Sequence, residues 1–585
     1  MAGLFAALAV GLLLPIWLTV RGSLVTPDGS WTTFYLWDAL ADPATRTGLL
    51  NAWWLAVATT AVSLLLGMPL AIVSTRFLFP GKGLANALIL APLVLPPFVG
   101  AIGMRHMMGR EGAFNAILAD LGIGPVDFLG EGGFWAIVVV QALHLYPIIY
   151  LNLAAALANI DPAVEEAAAS LGAPWWTRLR RVLLPMARPG IFAGATIVFV
   201  WSLTELGTPL MFEYRMVTPV QIFDGLKDME TSRRPFALTV LMLVGVMVIY
   251  LLGKWSVGRS AGAAMSKASV QRVEHPLRGW RGVAALGLFL GVSALACVPH
   301  LGLILSSLSV EGAWYGTVLP QAWTLDNFHA ALTHPLAVGS IHISVILSAL
   351  GALLTVIIGV AAARVLVRSR LPGRGLLDAL CMLPLAVPGL VMAFGYVALS
   401  LQWPFQGTMP GWLGASLHWC LPGSAFDWLN SQPLHFVGDI LGPDPNPLPF
   451  LVMTYAFRRV PYVVRSTVAG MEQTPVELEE AGQSVGAGRF TVLRRIVVPL
   501  VLANIVAGTL LAFSFNMLGV SEGLVLAQRE SDYPVTKAIY SLAERLGDGP
   551  AVASAMGVWA MALLACALLG ASALMGKKMG AVFRA

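Results

Sequence analysis

The sequence predicts an all-α integral membrane protein with about 12 transmembrane helices arranged as two parallel six-helix repeats. Three observations predict it. The 585 residues are 57% hydrophobic and only 11% charged, with a mean hydropathy of +0.77, well outside the range of water-soluble domains. Apolar residues fall in continuous runs of about 20, the length of helix that crosses roughly 30 Å of hydrocarbon, and do not alternate as barrel strands would. Finally, two long stretches of the chain repeat one another.

Runs free of Asp, Glu, Lys and Arg place the spans near 2–20, 51–75, 84–104, 134–157, 189–211, 235–253, 283–307, 340–363, 377–401, 447–469, 501–524 and 552–576. The first is read as a helix and not a signal peptide, because no cationic n-region precedes it and no clear small-residue cleavage site stands before Arg21. With the N-terminus inside, the outer segments hold only 11 of the 36 Lys and Arg, the asymmetry expected if both termini are cytoplasmic. Positive inner loops facing anionic lipid account for the net charge of +5, so no nucleic-acid partner is implied. Three of the four cysteines lie in spans (Cys297, Cys381, Cys566) and Cys420 in an outer loop, which indicates neither a metal site nor a disulfide framework.

The segment "SLLLGMPLAIVSTRFLFPGKGLANALILAPLVLPP" (63–97) lies without a gap on "TVIIGVAAARVLVRSRLPGRGLLDALCMLPLAVPG" (355–389) at an offset of 292. Gly67 meets Gly359, and Pro92 and Pro96 meet Pro384 and Pro388. An even number of spans per copy makes the repeats parallel. The first half is therefore 1–257, the second 283–585, and the small, polar and basic stretch 258–282 a flexible cytoplasmic linker.

A second correspondence runs at offset 314: "EEAAASLGAPWWTRLRRVLLP" (165–185) on "EEAGQSVGAGRFTVLRRIVVP" (479–499). The change of offset puts 22 additional residues in the outer loop before the tenth span. Both segments belong to cytoplasmic stretches, 158–188 and 471–499. Each reads as a short amphipathic helix, a turn that glycine permits, and a second helix whose arginines lie at the membrane surface before a proline leads into the next span. A single copy could be a surface connector anchored to headgroups. Two copies at equivalent points of a duplication point to a docking element for a two-fold partner.

The pattern Glu-Ala-Ala, three residues, Gly, nine residues, aliphatic, one residue, Leu-Pro resembles the coupling loop of permease subunits in ATP-binding-cassette (ABC) importers of the type I, MetI-like fold. The first copy satisfies every position; the second has Gly482 for the second Ala and Val498 for Leu. The resemblance implies that Glu166 and Glu480 pair with a basic residue of an ATPase. It gives Gly172 and Gly486 the turns, and sets Ala167, Ala168, Pro185, Ala481 and Pro499 in the same element. It also implies two copies of a cytoplasmic ABC ATPase, an extracytoplasmic substrate-binding protein, the bacterial inner membrane, and alternating access. No phosphate-binding loop occurs in the chain, so ATP and magnesium are expected on the partner, with no cofactor or metal and no enzymatic activity here.

Ionisable residues inside spans are candidate pathway or gate groups. Glu205 and Glu522 lie in the outer third of their spans, where a wet outer boundary is the alternative. Arg458 and Arg459 stand in the tenth span where the first half has His144 and Leu145, with an acid such as Glu205 as a candidate partner and Arg465 snorkelling to the inner surface. His144 reads as an interhelical hydrogen bond. Outer loop 402–446, with Trp403, Trp412, Trp419 and Trp428, is either an interfacial aromatic belt or an orienting surface for a delivering protein. The fused chain is most similar to ferric-iron permeases, followed by thiamine, polyamine and phosphonate permeases. An ion-coupled secondary transporter would explain the duplication but not the paired loops.

Overall fold

In a computed structural model the chain is described over residues 1–575, except 27, 95, 131–132, 230, 259–273, 407–408, 410–423, 425–426, 428–429, 432–433, 435–436, 438–439, 443–444, 546 and 548. The centre of the expected linker, Cys420, Trp412, Trp419 and Trp428 lie outside the described residues. The described chain is almost wholly helical. Twelve elements occupy the twelve expected span positions. Seven are single helices long and apolar enough to cross a membrane, four are helix pairs bent by more than 40°, and the remaining helix, Leu448–Glu472, carries the three arginines.

The bent pairs correct the expectation of continuous helices. Lys82–Leu93 meets Pro97–Asp120 at 89°, and Arg374–Ala386 meets Gly389–Ser400 at 103°. Both breaks fall on the matched prolines, because proline removes a backbone donor and pushes the residue before it away from helical geometry. Likewise the expected spans 189–211 and 501–524 are helices Arg188–Leu203 and Leu502–Met517, each followed by a shorter helix (Gly207–Met211 and Val520–Leu526).

Helices cluster into two compact units that cut across the sequence halves. One comprises Met1–Arg46, Gln221–Leu243 and the residues from Asp326 on; the other comprises Thr47–Val220 and Val244–Leu325. In the former, helix Pro335–Arg368 packs along Leu448–Glu472, and Gly359 lets them approach: a Cβ there would stand 2.7 Å from Val463 Cγ1. The N-terminal span Ala2–Leu24 belongs to this unit. Leu8 packs with Ile358, Leu377, Phe457 and Val460, and a Cβ on Gly11 would overlap the Phe457 ring. Gly11 lies in a π-helical turn (Ala9–Leu13), and Pro15, four residues on, has no N–H to give its carbonyl, which instead accepts the Tyr396 hydroxyl at 2.5 Å.

In the other unit, helix Pro43–Arg76 meets Phe134–Ala158 at the matching glycine, since a Cβ on Gly67 would come within 2.8 Å of Tyr146 O. Here too the added span comes from the opposite half. Trp280–Leu308 crosses the 97–120 segment at Gly103, whose Cβ would stand 2.3 Å from Leu303 N, and Phe289 meets Phe79 at 5.1 Å. The linker's far end is not free chain. His275-Pro276 pairs with Phe77-Leu78 as two short parallel strands, and Glu274 accepts from Lys82 Nζ at 2.8 Å.

Candidate coupling loops and a buried ion pair

The first loop begins with Asp161, whose side chain accepts from Ala163 N at 2.9 Å and caps helix Pro162–Ser170. Gly172 ends it at φ +80° in open space, so it is the left-handed backbone and not a lack of room that requires glycine. Trp175–Met186 then continues through a π-turn at Leu179–Leu183 and bends 66° into the next span, Pro185 lying beyond the π-turn. Arg178 and Arg180 lie 5.7 and 5.8 Å from the ring centres of Trp175 and Trp176.

The second loop repeats this at offset 314: helix Glu477–Ser484, Gly486 at φ +88°, a π-turn at Leu493–Val497, then Pro499. The Gly482 departure has a steric reason. A Cβ there would stand 2.5 Å from Ile496 Cδ1, whereas the first copy sets the larger Ala168 with the smaller Val182.

Successive residues on a helix point about 100° apart, so the doubled glutamates divide their roles. Glu166 and Glu480 are exposed, as are Ala167 and Ala481, while Glu165 and Glu479 are buried. Glu165 pairs with Arg76 at 3.3 Å; Glu479 pairs with Arg364 at 3.1 Å and Arg368 at 2.7 Å. Sequence reasoning missed these arginines. Their signal was in the first repeat alignment, where Arg76 and Arg368 are 292 apart.

In the tenth span, the partner of Arg458 is Glu522 and not the expected Glu205. Glu522 is fully buried, and Arg458 reaches it by crossing Gly389, where any Cβ would collide with the guanidinium. Arg459 donates to Phe515 O at 2.9 Å and lies 5.4 Å from that ring centre. Glu205 instead accepts from Thr208 N at 3.3 Å, and Arg465 pairs with Asp378 at 3.6 Å. His144 bonds Pro92 O through Nδ1 at 2.9 Å, between two elements as expected.

Another cation, absent from the sequence reading, sits between the last two spans. Lys537 is 7% exposed; its Nζ donates to Leu524 O at 3.2 Å and lies 5.2, 5.5 and 6.0 Å from the rings of Phe223, Tyr533 and Tyr540. Burial, aided by the nearby Lys227, pushes this ammonium down to about 8 from its ordinary 10.5. The folded chain thus releases the proton at lower pH than the unfolded chain, and stability rises between those two values. The melting temperature of the wild type minus that of Lys537→Met is expected to increase over this window, and a flat difference would refute the assignment.

Two six-span repeats, each displaying an acid-bearing helix, a glycine turn and a second helix that bends into the membrane, define the membrane subunit of a transporter powered by another protein. The chain belongs to the family of binding-protein-dependent transport system inner membrane components, matched over residues 47–261 and 355–574. It is similar to a "Putative ferric transport system permease protein FbpB 1" of Haemophilus influenzae, 23% identical over 82% of this chain and 70% of that one. A "Probable ABC transporter permease protein y4fN" of Sinorhizobium fredii is 25% identical over 87% of this chain and 82% of that one. A "Molybdenum transport system permease protein ModB" of Mycobacterium bovis is 31% identical over 38% of this chain and 82% of that one. The chain is a multi-pass permease of an ABC importer in the inner membrane, and its family works with an ATPase and a substrate-binding protein.

Proposed function

We propose that this single chain is the whole membrane part of its importer, that both termini are cytoplasmic, and that it binds two copies of one ATPase subunit, one at each coupling loop. The observation that carries this reading is the exposed acid, Glu166 or Glu480, found at the same place in each copy, one residue after a buried acid and six before a glycine turn. ATP and magnesium are bound by the ATPase alone. Closure of the ATPases on ATP opens the pathway outward, hydrolysis resets it, and the buried Arg458–Glu522 pair, with Arg459, acts at the gate. Glu205 serves the first half's pathway as the acid at a helix start.

The cargo we infer is ferric iron. Similarity to a permease named for ferric transport runs over 82% of this chain, through both repeats, while similarity to the molybdenum permease covers 38%. Thiamine, polyamine and phosphonate are the competing cargoes. The test is the purified complex in proteoliposomes with its ATPase and binding protein. Native mass should give one permease chain per two ATPases, and ATP-dependent uptake of radiolabelled ferric iron should exceed that of the three competitors. Two permease chains per complex, or no ferric uptake, would overturn the corresponding half of the proposal.

A further inference from the structure

We propose that Glu165 and Glu479 are positioning residues that join each coupling loop to the membrane helices, and that the two joints are deliberately unequal. The proposal rests on the coupling-loop reading above. Arg76 is the last residue of the 34-residue helix Pro43–Arg76, and Arg368 the last of the 34-residue helix Pro335–Arg368. A cation there is favoured by the carbonyl end of the helix dipole. Each arginine makes the same two kinds of contact. One is to the buried loop acid; the other is to a carbonyl at the end of a neighbouring span, Leu157 O for Arg76 at 3.3 Å and Met471 O for Arg368 at 3.0 Å. Leu157 and Met471 are themselves 314 apart, the offset of the loops.

The same three-way clamp therefore appears in both copies, fastening the loop helix to the cytoplasmic ends of two spans at once. It survives although much around it has diverged, including the residue one helical turn before the arginine. In the second copy that residue is Arg364, which occupies Glu479 Oε2 while Arg368 holds Oε1 and also donates to Thr474 O at 2.7 Å. In the first copy it is Ile72, and Glu165 Oε1 is buried without a hydrogen-bond partner. A displacement of the second loop is passed to its spans through two cations; the first loop has one. The outward acid meets the partner, and the inward acid hands the motion on.

The test uses the full complex and reads three quantities: ATPase co-purification, hydrolysis, and uptake per ATP. Glu165→Gln with Glu479→Gln should retain the ATPase and basal hydrolysis while uptake per ATP falls about tenfold, within the ordinary range of coupling free energies. The reversed pair, Arg76→Glu with Glu165→Arg, should restore much of the loss at the first loop. Should the Gln variant fail to accumulate, Glu165→Asp keeps the charge but shortens the reach, and reduced uptake per ATP at normal yield is the expected result. Wild-type uptake per ATP in the accumulating variant, Gln or Asp, overturns the joint. Glu166→Ala with Glu480→Ala separates the underlying reading: if that variant transports normally the coupling assignment itself fails, whatever the inward acids do. Ile72→Arg should bring the first joint towards the second and change uptake per ATP; no change would leave the inequality without consequence and refute that half of the proposal.

Discussion

Replacing Arg458 by Leu is expected to destabilise the chain by about 3–5 kcal/mol, because it leaves the fully buried carboxylate of Glu522 without its counter-charge. The neighbouring Arg459 cannot substitute without leaving the Phe515 carbonyl and ring that it already engages. Leucine also cannot fill the space over Gly389 that the guanidinium occupies, so a packing loss adds to the electrostatic one. The double variant Arg458→Leu with Glu522→Leu removes both charges and should recover most of the stability, since an ion pair exchanged for apolar groups of similar volume is often neutral. If the pair acts at the gate, uptake stays lost in the double variant although the chain is folded. Thermal unfolding in detergent and uptake in proteoliposomes read the two effects separately. Recovery of both would reduce the pair to a structural contact.

The second large effect is expected at the surface. Glu166→Ala with Glu480→Ala changes two exposed side chains and should alter stability by no more than about 0.5 kcal/mol. Uptake should nonetheless fall by about tenfold or more, as a loss of about 1.4 kcal/mol in coupling would produce. Insertion and yield are checked by membrane fractionation, transport by uptake, and docking by co-purification of the ATPase. Normal uptake with normal yield would remove both acids from the coupling surface.

Much of this was legible in the sequence because it is written in periodicity and repetition. The matched Gly67 and Gly359 mark helix crossings where a side chain has no room, Pro96 and Pro388 mark the breaks, and Gly172 and Gly486 mark left-handed turns. What stayed hidden depends on long-range pairing. Apolar run length cannot distinguish a straight span from one bent by 103°. Nor does anything local to Arg458 say that its partner lies 64 residues on and not in the first half. Lys537 reads as an ordinary loop lysine until Phe223, more than 300 residues away in the chain, closes over it. The buried clamp of Arg76 and Glu165 was within reach, since both residues stood inside the two quoted repeats, but only the contact between the repeats' ends reveals it.

The exchange of first spans between the two compact units has a consequence for biosynthesis. The hydroxyl that meets Gly11 belongs to Tyr396, 385 residues later. At about 5–20 residues per second the ribosome needs roughly 20 to 80 s to cover that distance. For most of that interval the N-terminal helix has none of the neighbours in the second half against which Leu8 and Gly11 will pack. The unit built on Thr47–Val220 meanwhile waits for Trp280–Leu308 before its Gly103 crossing can form. Neither unit can finish on its own half of the message, so a chain stopped in the linker leaves one unit without Trp280–Leu308 and the other with only Met1–Arg46 and Gln221–Leu243.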